Sequence, residues 1–200
     1  MATYKLSKKE GVLLGLLSQL KSPVVRTKFV KLVYLVDHLR AEHLGAPLTG
    51  FEYHWDHYGP NSIGNEVVNV LESLSEHGMV RQVQRLTPYE NYATYYAVTE
   101  AARETVLPLT ADDWAFIRSV VKRHGNRSRS EVVRASKDTA AVRRASQYRP
   151  LQLERNQDIQ RRTDALFSDE ARVARIEQAL AEEGVGTSLE DIKVLYAESA

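Results

Sequence analysis

The sequence predicts a mainly α, α+β fold. Helices are expected to surround one small β-hairpin in a winged-helix-like order, with further helices at the C-terminus. Apolar residues recur at helical spacing through most of the chain, and strand-like stretches are confined to about 51–57 and 79–98. The 200 residues, 43% of them hydrophobic, suffice for one cored domain with an appendage. We therefore expect a helical domain over residues 1–150 and a helical extension over residues 151–200.

Two helices open the chain. The first has an apolar stripe that begins after Ser7, a capping residue, and stops before Pro23. The second starts near Thr27 and is apolar on nearly every side, which is typical of a helix in the middle of a core. It should end at Gly45, because glycine accepts the left-handed closing conformation.

The middle of the chain carries the strand-like segments. Alternation over residues 51–57 predicts one half-buried strand, which the turn at Tyr58-Gly59-Pro60 ends. A helix then starts at Asn61 or Ser62, with an apolar face made of Ile63, Val67, Val70, Leu71 and Leu74. Residues 79–98 form the predicted hairpin, and Thr99 caps the helix that follows.

The remaining elements are all predicted helices. One spans Thr110 to His124, and a short one opens at Ser128 or Ser130. The more polar region after Pro150 predicts helices at about 158–167, 170–183 and 188–197.

Charge is unevenly distributed along the chain. Residues 118–162 hold thirteen basic and four acidic side chains, a net charge of +9, so the remainder carries −8 if the whole chain is +1. This asymmetry favours a surface that attracts nucleic acid or an acidic protein, and the alternative is a solvated basic helical face. We select four arginines of this region, Arg123, Arg127, Arg143 and Arg144, as candidate partner-binding residues.

Several classes of protein are disfavoured. With no cysteine, thiolate chemistry and Cys-type zinc sites are excluded, and neither a secretion signal nor a membrane-spanning run is recognisable, so we expect a cytoplasmic protein. His54 and His57 should point to opposite faces of their strand, so we predict no metal site there. No phosphate-binding glycine loop or nucleophile elbow is present, so we expect neither catalysis nor a cofactor.

A DNA-binding regulator of the winged-helix type is the alternative function. Its reading helix would span residues 62–77, yet that segment contains Glu66, Glu72 and Glu76 and no lysine or arginine. Carboxylates there would repel the phosphate backbone, so DNA reading by this helix is disfavoured. Arg81 and Arg85 in the hairpin, together with the basic region, leave nucleic-acid binding open.

Four short motifs resemble one known family. They are Lys31 to Asp37 (K-L-x-Y-L-x-D), Gly50-Phe51, Tyr58-Gly59-Pro60 and Leu74 to Gly78. In this order they are similar to the Panacea (SocA-like antitoxin) domain, and the resemblance covers about residues 8–146. A histidine and a tryptophan that many members carry are replaced by Lys137 and Val142, so no role of that pair transfers here.

The resemblance implies a non-enzymatic antitoxin that binds and neutralises a cognate protein toxin, often in bacteria and their phages. Its motifs add Lys31, Tyr34, Asp37 and Tyr58 as candidate partner-binding residues. For Tyr34 and Asp37, bracing of the structure is favoured over direct contact. For the turn that contains Tyr58, a rigid link from strand to helix is favoured over an exposed anchor. The C-terminal helices could complete the interface or mediate self-association.

Overall fold

The computed structural model describes residues 4–86 and 92–154, and in this part of the chain it confirms a mainly α, α+β fold. The helices are α1 (Lys8–Ser18), α2 (Arg26–Leu44), α3 (Glu66–Glu76), α4 (Glu100–Arg103), α5 (Ala111–Val120), α6 (Arg129–Lys137) and α7 (Ala140–Arg144). The strands are β1 (Val24–Val25), β2 (Tyr53–Asp56), β3 (Gly59–Ser62), β4 (Val80–Leu86) and β5 (Tyr92–Val98). The helices expected at 158–167, 170–183 and 188–197 lie outside the described residues.

Local capping signals set most helix starts. Ser7, Thr110 and Ser128 each form a capping box with the residue three positions later, and Thr99 caps α4. Gly45 closes α2 with a φ of 80°, the left-handed conformation that glycine adopts without strain. These caps agree with the sequence predictions because each depends only on residues within one helical turn.

Helix α2 lies at the centre of the core, as its apolar sequence predicts. Phe29, Leu32, Val33 and Val36 are completely buried in it. Helices α5 and α6 pack against α2, while α1 packs against α3, α5 and β5. None of the helices in the described part of the chain combines the length and the apolar character needed to cross a membrane.

A three-stranded sheet contains the predicted hairpin. Strands β4 and β5 pair antiparallel from Val80↔Val98 to Leu86↔Tyr92, and β1 adds to the other edge of β5 through Val24↔Tyr96. The two-residue strand β1 was not predicted, since it is too short to show the alternation of polar and apolar residues that marks a strand. The winged-helix likeness stays a prediction.

The region around Tyr58-Gly59-Pro60 differs from the prediction. Instead of leading from a strand into a helix, it begins β3, which pairs antiparallel with β2 from Tyr53↔Ser62 to Asp56↔Gly59. Left-handed backbone at Gly64 (φ 61°) and Asn65 (φ 56°) then delays α3 until Glu66. Ser62, one of the two predicted capping residues, does precede a short 3-10 helix (Ile63–Asn65), and its hydroxyl accepts from the Val67 N–H (3.2 Å), but the regular α-helix begins only at Glu66. Ile63, assigned to the buried face, is 37% exposed.

The chain after α7 returns to the other edge of β2. The Tyr148 N–H donates to the Trp55 carbonyl (2.8 Å), and the Leu151 N–H donates to the Tyr53 carbonyl (2.6 Å). Leu151 is buried in the core. The residues at the expected domain boundary near 150 are thus tied to the main domain.

Candidate partner-binding site

A groove of about 560 Å³ lies between the β2–β3 hairpin and α3, and we call it the hairpin groove. Helix α2 forms its floor through Val30 and Lys31, the hairpin contributes Asp56 and Tyr58, and α3 contributes Val68. Cations, carboxylates, amides and apolar groups all line it. The lining suits a protein segment better than a uniformly charged polymer.

Lys31 ties the floor of the groove to the hairpin. Its side chain is completely buried, and its Nζ donates to the Pro60 carbonyl (2.5 Å) and to Asn61 Oδ1 (2.6 Å). Burial lowers the pKa of Lys31 to about 8, although the nearby Asp56 acts in the opposite direction. The amine is therefore mainly protonated at neutral pH and donates to both acceptors.

Gly59 permits the hairpin to approach α2 and α6 closely. It has a φ of 93°, and a Cβ at this position would lie 3.2 Å from Ser136 Oγ and 3.3 Å from Lys137 Cγ. Both the backbone conformation and the close packing therefore favour glycine.

Gly59→Ala is expected to destabilise the protein more than Gly50→Ala. Both glycines have positive φ, but a Cβ on Gly50 meets nothing within 4 Å, so that substitution isolates the backbone strain. We expect Gly59→Ala to cost about 1–2 kcal/mol more in unfolding free energy, measured by urea denaturation. Equal costs would contradict the packing argument.

Asp37 is buried in the core and hydrogen-bonds the segment that leads into β2. Its Oδ1 accepts from the Thr49 N–H (2.7 Å), and its Oδ2 accepts from the Tyr53 hydroxyl (2.6 Å) and from the Thr49 hydroxyl. Burial raises the pKa of Asp37, and the hydrogen bonds from Thr49 and Tyr53 lower it, so the net direction is upward.

Tyr34 connects α2 to the start of α7. Its hydroxyl shares a hydrogen bond of 2.6 Å with Thr139 Oγ1, and its ring meets Tyr53 edge-on at 5.2 Å between centroids. Lys31, Tyr34 and Asp37 are all 0% exposed. Lys31 holds β3, Asp37 holds the chain before β2, and Tyr34 holds the start of α7, in line with the bracing favoured for Tyr34 and Asp37. Direct contact of these three residues with a partner stays a prediction.

Tyr58 is the member of the selected set that stands at the surface of the groove. Its side chain is 63% exposed at the hairpin turn, its backbone N–H donates to Asp56 Oδ1 (2.7 Å), and its ring lies 3.8 Å from that of His57. The turn is held by local bonds while the aromatic ring remains available. The turn joins β2 to β3, so the strand-to-helix link predicted for the Tyr58-Gly59-Pro60 motif is wrong, whereas the exposed ring is compatible with an anchor for a partner.

The four selected arginines are exposed and fall into two groups. Arg123 and Arg127 lie near His124, whereas Arg143 and Arg144 lie near His38. Arg143 also donates to Asp138 (2.7 Å), and Arg144 approaches Glu154 (3.7 Å).

Sequence reasoning missed the two buried histidines. His38 and His124 are each 8% exposed, and the Nδ1 atom of each is buried without a hydrogen-bond partner. Burial, followed by the neighbouring arginines, lowers the pKa of each to about 4. His38 lies in the largely apolar helix α2, which was a sign of burial, whereas His124 lies in a polar stretch that gave none.

In the described residues, no three His, Cys, Asp or Glu side chains are placed to hold a metal ion. His54 and Asp56 both border the hairpin groove, whereas His57 does not line it.

Comparison with protein families decides the classification. Residues 29–141, more than half of the chain, match the family described as "Antitoxin SocA-like, Panacea domain". The chain belongs to the SocA-like Panacea antitoxin family. The matched segment is shorter than the resemblance at residues 8–146 and excludes α1. The matched segment includes all the residues that the β2–β3 hairpin and α3 contribute to the hairpin groove.

Other comparisons add little to the Panacea assignment. No curated protein matches the sequence. Among solved structures, the crystal structure of smu.1604c from Streptococcus mutans UA159 is 13% identical, with a TM-score of 0.34 over 96% of this chain and 90% of that chain. A similarity at that level carries no argument about fold or function.

Proposed function

We propose that this Panacea-domain protein binds a cognate protein toxin and neutralises it by covering the toxin's active surface. Family membership supports an antitoxin role in general. The observation that carries the more specific proposal is the hairpin groove. An exposed aromatic residue, Tyr58, lines this groove, and the floor of the groove is buried and hydrogen-bonded.

A rigid scaffold supports the groove. Lys31 bonds β3 to α2, Asp37 bonds the chain before β2 to α2, and Tyr34 bonds α7 to α2. Because these bonds are buried, the groove is formed before a partner arrives, and little conformational entropy is lost on binding. Such preorganisation suits a protein that must capture its partner tightly.

Binding accounts for the groove better than catalysis does. Lys31 is the residue with a lowered pKa there, yet its Nζ is occupied by two acceptors and its side chain is 0% exposed. An amine in that position braces the hairpin and cannot reach a substrate in this arrangement.

The DNA-binding alternative receives less support. Glu72 and Glu76 are exposed on α3, the helix that would read DNA in a winged-helix protein. Their charges oppose the approach of phosphates. Sequence-specific retardation of promoter DNA that weakens steeply with salt would favour this alternative.

Tyr58→Ala is expected to weaken the complex with the toxin while leaving the fold intact. A central exposed tyrosine that becomes buried in an interface contributes about 2 kcal/mol, or about 30-fold in Kd. The product of the neighbouring gene serves as the toxin, and both rescue of growth on co-expression and Kd by calorimetry are measured.

Tyr92→Ala is the matched control, because Tyr92 is 74% exposed on the other hairpin. It should retain wild-type affinity. Wild-type affinity in Tyr58→Ala would remove the hairpin groove from the interface. Failure of the wild-type protein to rescue growth, with no complex on size exclusion, would refute the proposed function.

A further inference from the structure

A second concavity, of about 230 Å³, lies between the end of α1, strand β1 and the start of α6. Four cationic residues line it, Lys21, Lys28, Arg127 and Arg129, and its lining includes no acidic residue. We call it the basic cleft. Lys21 and Lys28 come from outside the basic region of the sequence, so the fold adds positive charge there.

One carboxylate lies beside the basic cleft and offsets only part of its positive charge. Glu131 acts through its charge on Lys28 and Arg127, and it accepts from the Ser128 N–H (2.8 Å) and from the Ser128 hydroxyl (2.6 Å). Lys28 Nζ donates to the Gly125 carbonyl (2.7 Å), which fixes its position in the wall. Lys21, Arg127 and Arg129 are exposed.

The three-stranded sheet forms the opposite wall. Tyr95 lines the cleft and pairs with Val25 of β1, and the Arg85 guanidinium lies 5.2 Å from the centre of the Tyr95 ring. Leu20 and Pro23 add apolar surface. The cleft therefore combines dense positive charge with an aromatic and apolar wall.

We infer that the basic cleft receives an acidic segment of the toxin, whose carboxylates pair with Lys21, Arg127 and Arg129. This inference rests on the proposed function and adds a second contact area with a defined chemistry. Arginine binds carboxylates in a bidentate manner, and an aromatic wall accommodates the aliphatic part of a glutamate side chain.

The shape and the total charge favour a protein segment over nucleic acid. A concavity of about 230 Å³ admits one or two side chains, whereas a duplex is too wide to enter it. The whole chain has a net charge of only +1, so long-range attraction for a polyanion is weak. A short acidic segment needs only the local charge of the cleft.

The test is the double charge reversal Lys21→Glu with Arg129→Glu in the full-length protein. We expect its affinity for the neighbouring gene product to fall about 20-fold. Raising the salt concentration should weaken the binding of the wild-type protein by most of the same factor, because salt screens these charge pairs. Lys5→Glu is the matched control: Lys5 is exposed and lies beyond the opposite end of α1, roughly 16 Å along the helix from the cleft end. It should retain wild-type affinity.

A milder variant, Lys21→Gln with Arg129→Gln, guards against misfolding, and circular dichroism melts of all variants should coincide with that of the wild type. Unchanged affinity in both cleft variants would overturn this inference while leaving the Tyr58 interface in place. A wild-type protein that forms no complex at all would instead refute the proposed function. A 20-base-pair DNA duplex is tested on the same proteins. If the duplex binds the wild type but not the cleft variants, and the toxin binds the wild type and the cleft variants alike, the cleft binds nucleic acid and the inference is wrong.

Discussion

Asp37→Ala is expected to lower the free energy of unfolding by about 3 kcal/mol, the largest loss among the substitutions considered. The Thr49 N–H and the hydroxyls of Thr49 and Tyr53 all donate to this carboxylate. Asp37 is 0% exposed, so water cannot replace the lost acceptor. The donors would remain buried without partners, and a small cavity would add to the cost.

Urea denaturation followed by circular dichroism measures this effect. Asp37→Asn is the matched control, because the amide keeps the volume of the side chain and one acceptor oxygen for Thr49. We expect it to cost about 1 kcal/mol, clearly less than alanine. A cost below about 1 kcal/mol for Asp37→Ala would show that the buried hydrogen bonds do not hold the hairpin.

Acidification is expected to destabilise the protein through His38. Its ring stacks on Tyr34 at 5.8 Å, its Nε2 lies 3.3 Å from Glu42, and Arg143 and Arg144 act on it from α7. Burial, followed by these two arginines, lowers the pKa of His38 from 6.5 to about 4. The folded state therefore favours the neutral imidazole.

The sign of the pH effect follows from this shift. Above pH 6.5 the imidazole is neutral in both states, and its full contribution to stability is present. As the pH falls, the unfolded chain takes up a proton first, so stability is lost progressively until the pH reaches the folded pKa of about 4. Between pH 7.5 and 4.5 the expected loss from His38 is about 2–3 kcal/mol.

His38→Phe isolates this contribution, because phenylalanine keeps a stacked ring but cannot titrate. Asp37 and Glu42 have raised pKa values and act in the opposite direction, so the measured quantity is the difference between the pH profiles of wild type and variant. The variant should lose about 2–3 kcal/mol less than wild type over the same pH interval. Parallel profiles would contradict a buried neutral His38.

The sequence supports the family assignment, and the structure supports the roles of individual residues. The Panacea motifs are visible in the sequence, and the family match confirms them. They do not reveal what their residues do. Lys31, Tyr34 and Asp37 lie on one helix but each bonds a different segment, at Pro60, Thr139 and Thr49 respectively. The motif residues therefore hold three separate segments against α2.

The features that depend only on neighbouring residues follow from the sequence alone. Capping at Ser7, Thr110 and Ser128 requires only one helical turn, and the apolar surface all around α2 predicts its central position. The β4–β5 hairpin was predicted for the same reason, since its two strands are close together in the sequence.

The features that join distant parts of the chain became visible only in the folded molecule. Strand β3 has the composition of a turn, and it becomes a strand because Lys31 and β2 bond to it. Whether Asp37 is buried depends on donors twelve and sixteen residues away. The basic cleft brings Lys21 next to Arg129 across more than one hundred residues. Charge and periodicity along the chain cannot encode such contacts, because they arise only when separate elements pack together.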